Sequence, residues 1–277
     1  MNQKPIVIIG SGLAAYTVMR EFRKLENEVP VLMLSADHGG FYSKPMLSNA
    51  LATGKTPDTL LNNSAENMAE QMKAVIRPYS TVTAISPSNK NLLLQNGEKI
   101  DYDQLVLALG ANQIRLPLEG NGTEEILSVN NLDDYRRFRD LLTTKKEIAI
   151  LGAGLIGCEF ANDLAVAGYK VCVIDISKQP LGKLLPLAGG IFLQRKLETT
   201  GIVFHLDTIT RRVEKIGGRL QLTFANGKTL QTDILLSAVG LVPHTDLANK
   251  ASIKVNRGIV VNQSLQTNYN NIYALGD

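Results

Sequence analysis

Two glycine patterns, each fed by a short apolar run, constrain this 277-residue chain more than any other feature. The first lies in "IVIIGSGLAAYTVMREF", where Ile6–Ile9 run into Gly10-x-Gly12-x-x-Ala15 and a helical pattern follows. The second lies in "EIAILGAGLIGCEFANDLAVAGYKVCVID", where Gly152-x-Gly154-x-x-Gly157 is complete. This strand–turn–helix context is what a dinucleotide-binding fingerprint requires. The first glycine permits the tight turn, the second lets the backbone approach a pyrophosphate, and the third small residue allows close helix–strand packing. The helix N-terminus then turns free N–H groups and a positive dipole end toward the phosphates. Candidate contacts are therefore Gly10, Ser11, Gly12, Leu13, Ala14 and Ala15 in the first copy. In the second they are Gly152, Gly154, Leu155, Ile156 and Gly157.

The residues downstream repeat the comparison. In the second copy a strand over Lys170–Ile174 ends at Asp175, 18 residues after Gly157. An acid about there hydrogen-bonds a ribose 2′-OH and repels a 2′-phosphate, so NAD is favoured over NADP. The alternative, a turn acid at a strand end, stays open. In the first copy the strand Val31–Leu34 runs into Ser35-Ala36-Asp37, so Ser35 stands at the strand end and Asp37 arrives two residues late. "NGEKIDYDQLVLALG" (96–110) aligns with "NGKTLQTDILLSAVG" (226–240), with six of fifteen positions identical. Each carries an Asn-Gly hairpin signal between short β runs and ends on a glycine, Gly110 or Gly240. The expected fold is α/β: two Rossmann-like dinucleotide-binding domains, each a parallel sheet with helices on both faces and an antiparallel three-stranded meander. Two dinucleotides are expected to bind at once.

Composition removes other classes. The net charge is +3 with scattered basic residues, and the tightest group, "DDYRRFRD", interleaves acids, so it reads as a solvated helix face rather than a nucleic-acid patch. No run approaches the ~20 apolar residues of a membrane span, and the N-terminal apolar run is too short for a signal peptide. A cytoplasmic protein with no membrane or nucleic-acid partner is expected. Cys158 and Cys172 sit in apolar runs and read as buried inert thiols. None of the three histidines stands out as a general base, and no metal site is expected.

The two fingerprints together with "LALGA", "SAVGLVPHT" and "GIVVNQSLQTNYNNIYALGD" resemble the FAD-dependent pyridine-nucleotide oxidoreductases. The resemblance implies FAD at the first fingerprint and NAD(H) at the second. It implies a discontinuous FAD-binding domain, 1–112 plus 240–277, around an NAD(H)-binding domain, 113–239. It also implies that Asp277 contacts the flavin's ribityl chain, and that a third, interface domain found in relatives is missing from this chain. Within the family, "FYSKPMLSNALATGK" (41–55) looks like the rubredoxin reductase branch. On that resemblance Lys44 lies beside the flavin, Glu159 pairs with it near the nicotinamide, and backbone near Val82 meets the adenine. The plainer alternatives are a loop lysine, a first-turn glutamate and an ordinary strand valine.

Residues 37–50 contain no cysteine, which the thiol-using members of the family need near the flavin. What remains is hydride transfer from NADH to FAD, then electron transfer to a small iron carrier. The resemblance implies rubredoxin as that carrier, with alkane hydroxylation downstream. Alternatives are a flavorubredoxin or ferredoxin reductase, or a non-catalytic dinucleotide-binding fragment.

Overall fold

A computed structural model describes residues 3–277. Its contacts divide the chain into two units: Met1–Ser43 with Leu61–Asn112 and Val242–Asp277, and Lys44–Leu60 with Gln113–Leu241.

The first unit is built on a five-stranded, all-parallel sheet. Its order is β19 (Ile272–Ala274), β9 (Gln104–Leu107), β1 (Ile6–Ile9), β2 (Val31–Leu34), β5 (Val75–Arg77). Side chains alternate across each strand. Ile8, Met33 and Val106 turn toward helix α1 (Leu13–Leu25), where they pack with Ala15, Tyr16 and Met19. Helix α3 (Ala65–Gln71) adds Met68 to that layer. Val7, Ile9, Leu34, Leu105 and Leu107 face the other way. There they meet a meander of β6 (Val82–Ser86), β7 (Asn91–Leu94) and β8 (Lys99–Asp101), whose Ile85, Leu92, Leu94 and Ile100 close the core. Ala248 and Ala251 beside the short helix α7 (Asp246–Lys250) join them. The hairpin β3 (Phe41–Tyr42) and β4 (Leu61–Asn63) completes the unit.

The second unit repeats the plan with four parallel strands: β13 (Val203–His205), β12 (Lys170–Ile174), β11 (Glu147–Leu151) and β17 (Ile234–Ser237). Ala149, Leu151, Ile174 and Leu235 face a meander of β14 (Thr210–Ile216), β15 (Arg219–Phe224) and β16 (Thr229–Thr232), meeting Val213, Leu220, Leu222 and Phe224. Helix α5 (Leu155–Val166) packs on the opposite side through buried Phe160, Ala161 and Leu164, and Phe160 stacks edge-on to Phe138 of α4 (Leu132–Leu142) at 5.9 Å. The remaining helices are α2 (Pro57–Leu60) and α6 (Leu187–Glu198). The chain passes between units along β10 (Ala111–Gln113) and β18 (Leu241–Pro243), which run side by side as a two-stranded ribbon.

One expectation is corrected. Helices do not cover both faces of either sheet: one face is taken by the meander, whose alternating apolar residues supply a flat surface matched to the pleat. Residues 44–60 group with the second unit. Side chains of α4 hold them there: Arg136 pairs with Asp58 (2.8 Å), and Arg139 donates to the Lys55 carbonyl (2.8 Å). Arg136 also pairs with Asp133 along α4, the solvated face that its interleaved charges suggested. Among the described residues no helix is long and apolar enough to cross a membrane.

Candidate dinucleotide sites

The two fingerprints adopt the same geometry, and their glycines divide into two kinds. Gly10 (φ +113°) and Gly152 (φ +105°) lie in a region closed to most side chains. A Cβ there would fall 2.1 Å from the Ala108 carbonyl oxygen and 2.6 Å from that of Ala238. A Cβ on Gly157 would fall 1.9 Å from the Gly152 carbonyl oxygen. The matching first-copy residue, Ala15, is fully buried, so that turn has room for one methyl group. These positions are small because protein occupies the space.

Gly12 and Gly154 are different. Their backbones are extended (φ −76°, ψ −179° and φ −73°, ψ −175°), a conformation open to any residue. Beyond the adjoining residues of the chain, no described atom lies within 4 Å of the Cβ either would carry. Nothing described inside the protein requires glycine there, and the backbone is left open to a group approaching from outside. The helices add to this. Neither α1 nor α5 has a side-chain cap at its start or an acidic residue in its first turn, whereas Asn131 caps α4 through the Asp134 N–H (2.7 Å). The first-turn N–H groups of both fingerprint helices are thus left for an anion. Both cradles fit a dinucleotide pyrophosphate.

At the end of β2 the first copy builds a network where the second has one acid. The hydroxyls of Ser11 and Ser35 are 2.7 Å apart and lie 3.0 and 2.5 Å from Asp37 Oδ1; the Gly39 N–H donates to the same oxygen at 2.9 Å. Burial pushes the Asp37 carboxyl up, but the bonds from Ser35, Gly39 and Ser11 and the nearby His38 outweigh it and hold it below the usual range. In the second copy Asp175 reaches back the same way: Oδ2 accepts from the Ala153 N–H at 2.6 Å and Oδ1 from the Ser177 N–H at 2.6 Å. Ser11 and Ala153 are equivalent residues, so in both copies the strand-end acid braces the middle of its own glycine loop.

The other candidates fall around these cradles. Ser80 N–H donates to the Ser35 carbonyl (2.6 Å), which ties the chain just before Val82, the half-buried first residue of β6, to the end of β2. Gly110 follows β9 with open space at its Cβ position, and Gly240 follows β17 with only the Ile114 Cδ1 within 4 Å of its own. A Cβ on Gly276 would be 3.1 Å from that of Ala14, so the chain reaches Asp277 beside the first turn of α1. Leu13, Leu155 and Ile156 are exposed at the two helix starts.

Lys44 and Glu159 both belong to the second unit. Lys44 opens a short helical turn, Lys44–Ser48, and the Glu159 carboxylate, in the second turn of α5, accepts from the buried Ser48 hydroxyl. Asp163, one turn further along α5, takes the Leu51 and Ala52 N–H groups at 2.9 and 2.8 Å. Sequence reasoning missed Ser48 and Asp163. Their partners lie 111 and 112 residues away, and the only local signal was the i, i+4 spacing of two acids on one helix face. The thiols are remote from redox use: burial, then Asp175 and Glu159, push Cys158 up to about 11, and burial, then Glu147, pushes Cys172 up to about 12.

Comparison with known proteins matches the description Pyridine nucleotide-disulphide oxidoreductase over residues 4–277. The chain is 49% identical to the rubredoxin-NAD(+) reductase of Acinetobacter baylyi, over 99% of this chain and 71% of that protein. It is 36% identical to the nitric oxide reductase FlRd-NAD(+) reductase of Aeromonas hydrophila, over 99% of this chain and 70% of the relative. Its fold superimposes on a ferredoxin reductase from Rhodopseudomonas palustris with a TM-score of 0.91 at 25% identity, covering 99% of this chain and 68% of that one. The chain belongs to the pyridine nucleotide-disulphide oxidoreductase family, an oxidoreductase family whose cofactors are FAD and NAD(H).

Proposed function

We propose that this chain is an NADH-dependent reductase that binds FAD in its first unit and NAD(H) in its second, and passes electrons to rubredoxin. The observation that carries this reading is the 49% identity to a rubredoxin-NAD(+) reductase over nearly the whole chain. When bound, FAD supplies the chemistry: it accepts a hydride from NADH and releases electrons singly to an iron carrier.

The chain's own residues bind and orient. The backbone at Gly12 and the first-turn N–H groups of α1 hold the FAD pyrophosphate, and Gly154 with α5 holds that of NADH. All three bonds to Asp37 converge on Oδ1, which leaves Oδ2 for a ribose hydroxyl. Each oxygen of Asp175 keeps acceptor capacity after its one backbone bond, so the carboxylate still takes a ribose 2′-OH and rejects a 2′-phosphate. Asp277, beside the first turn of α1, would contact the ribityl chain, and backbone near Val82 would contact the adenine. With FAD bound, Lys44 would stabilise negative charge on the flavin ring, and Glu159, which accepts from the Ser48 hydroxyl, would balance it. The raised thiols of Cys158 and Cys172 support a path from flavin to carrier that uses no cysteine.

A second reading, reduction of a flavorubredoxin, draws on the 36% identity to the Aeromonas relative. Acceptor competition separates them. With saturating NADH, kcat/KM for rubredoxin should exceed that for a flavorubredoxin or a ferredoxin by about tenfold or more. Equal or higher efficiency with either rival would reject rubredoxin as the acceptor. Use of the electrons in alkane hydroxylation belongs to the rubredoxin reading and stands or falls with it.

A further inference from the structure

The strap formed by residues 44–55 lies on the second unit and is held there at three places. Ser48 donates to Glu159, the Leu51 and Ala52 N–H groups donate to Asp163, and the Lys55 carbonyl accepts from Arg139. Two of these anchors are the carboxylates one turn apart on α5. Asp163 is the unusual one, being only 4% exposed. A carboxylate is costly to remove from water. Burial pushes the Asp163 carboxyl up, and the Ala52 and Leu51 N–H groups and the Arg139 guanidinium only partly offset it.

The helix does not need this carboxylate for its own packing, and of the strap's two N–H groups only that of half-buried Leu51 is hard for water to reach. Helix α5 is already seated by Phe160, Ala161 and Leu164. Ala52 is exposed, so water could serve its N–H. What the pair of bonds does is fix where the strap lies along α5.

We infer that Asp163 is a positioning residue for Lys44: by gripping Leu51 and Ala52 it sets the position of the turn that carries Lys44, and so the place of the positive charge during flavin reduction. The inference rests on the role of Lys44 given above. A displacement near 1 Å at a reacting centre is enough to cost one to two orders of magnitude in rate, roughly.

The test is anaerobic stopped-flow reduction of the FAD-loaded protein by NADH, with Asp163→Asn, Lys44→Met and the double variant. Asn keeps the size and one acceptor but turns an NH₂ toward one of the two donors. Asp163→Asn should slow reduction about tenfold while NADH affinity stays within about twofold. In the Lys44→Met background the same change should cost nothing further, because the charge it positions is gone. A purely structural Asp163 would add its full effect in both backgrounds, and that additivity overturns the inference. Wild-type speed in Asp163→Asn beside a slow Lys44→Met overturns the inference alone. Wild-type speed in Lys44→Met overturns the role of Lys44 and the inference with it. Arg139→Gln, at a part-exposed site, loosens the strap at Lys55 instead. It should show the same loss of effect in the Lys44→Met background, so the inference is read even where Asp163→Asn fails to fold.

Discussion

The division of the fingerprint glycines into two kinds makes a paired prediction. Gly154→Ala and Gly157→Ala are three residues apart and add the same methyl group. At Gly154 the backbone is one that alanine adopts freely, and beyond the adjoining residues of the chain the methyl meets no described atom within 4 Å. The unfolded chain loses freedom, which stabilises, but alanine is a poorer N-cap than glycine, so stability of the cofactor-free protein should change by less than about 1 kcal/mol. At Gly157 the methyl would sit 1.9 Å from the Gly152 carbonyl oxygen and 3.0 Å from its carbon. Both are backbone atoms of the loop on which α5 starts, so the helix must lift by more than 1 Å. Overpacking of this kind costs about 1–3 kcal/mol or more, a fall of several degrees in Tm at roughly 2–4 °C per kcal/mol. Binding should sort the other way. The Gly154→Ala methyl occupies the place of the pyrophosphate, so NADH affinity should fall at least about tenfold, or ~1.4 kcal/mol. The assays are thermal unfolding of protein stripped of both cofactors, since bound ligand would mask the difference, and NADH titration of the FAD-loaded form. Gly12→Ala should repeat the Gly154 result with FAD in place of NADH. The reasoning is refuted if Gly154→Ala destabilises the stripped protein as much as Gly157→Ala does, or if it binds NADH as wild type.

Further predictions concern groups away from the glycine loops. Buried Arg23 donates to four backbone carbonyls, those of Met72, Glu26, Val29 and Lys73, so Arg23→Met should lower the urea-unfolding free energy by about 3 kcal/mol or more while leaving the NADH cradle intact. Asp37 is held below its ordinary value in the folded state, so the unfolded chain binds more protons in acid. Stability from this group is complete above about pH 4 and is lost as pH falls through its folded value; Asp37→Asn should flatten the acid limb of a stability–pH curve. The thiols at about 11 and about 12 should resist iodoacetamide at pH 8 in the native protein and react on unfolding. A Cys158→Ala, Cys172→Ala double variant should pass electrons from NADH through FAD to rubredoxin at the wild-type rate, which a disulphide relay between flavin and carrier would not allow.

What could be read in the sequence was what local chemistry determines. The strands Ile6–Ile9, Val31–Leu34 and Lys170–Ile174 follow from apolar runs stopped by Gly or a polar residue. The Asn96-Gly97 and Asn226-Gly227 hairpins follow from turn chemistry, and the meanders follow from their repetition. The close packing around Gly10, Gly152 and Gly157 was legible because each glycine's surroundings are set largely by the local strand–turn–helix pattern. Local pattern did not reveal which sheet face the meander takes, since an alternating strand satisfies either. It did not reveal that residues 44–60 lie on the second unit, because the partners that hold them, Asp163 and Arg139, lie far along the chain. Position alone suggests Asp37, two residues past the end of its strand's run, as the first copy's counterpart of Asp175. The sharing of one Asp37 oxygen among Ser11, Ser35 and Gly39 required three separate segments to meet.

The central claim is that the two cradles serve one hydride path from NADH to FAD. An anaerobic titration of the FAD-reconstituted protein, followed at the flavin absorption band, tests it most directly. The band should bleach completely at one NADH per flavin and persist with the same amount of NADPH, as Asp175 at the second strand end requires. An oxidised flavin after excess NADH, or loss of FAD on desalting before the titration begins, would contradict the claim.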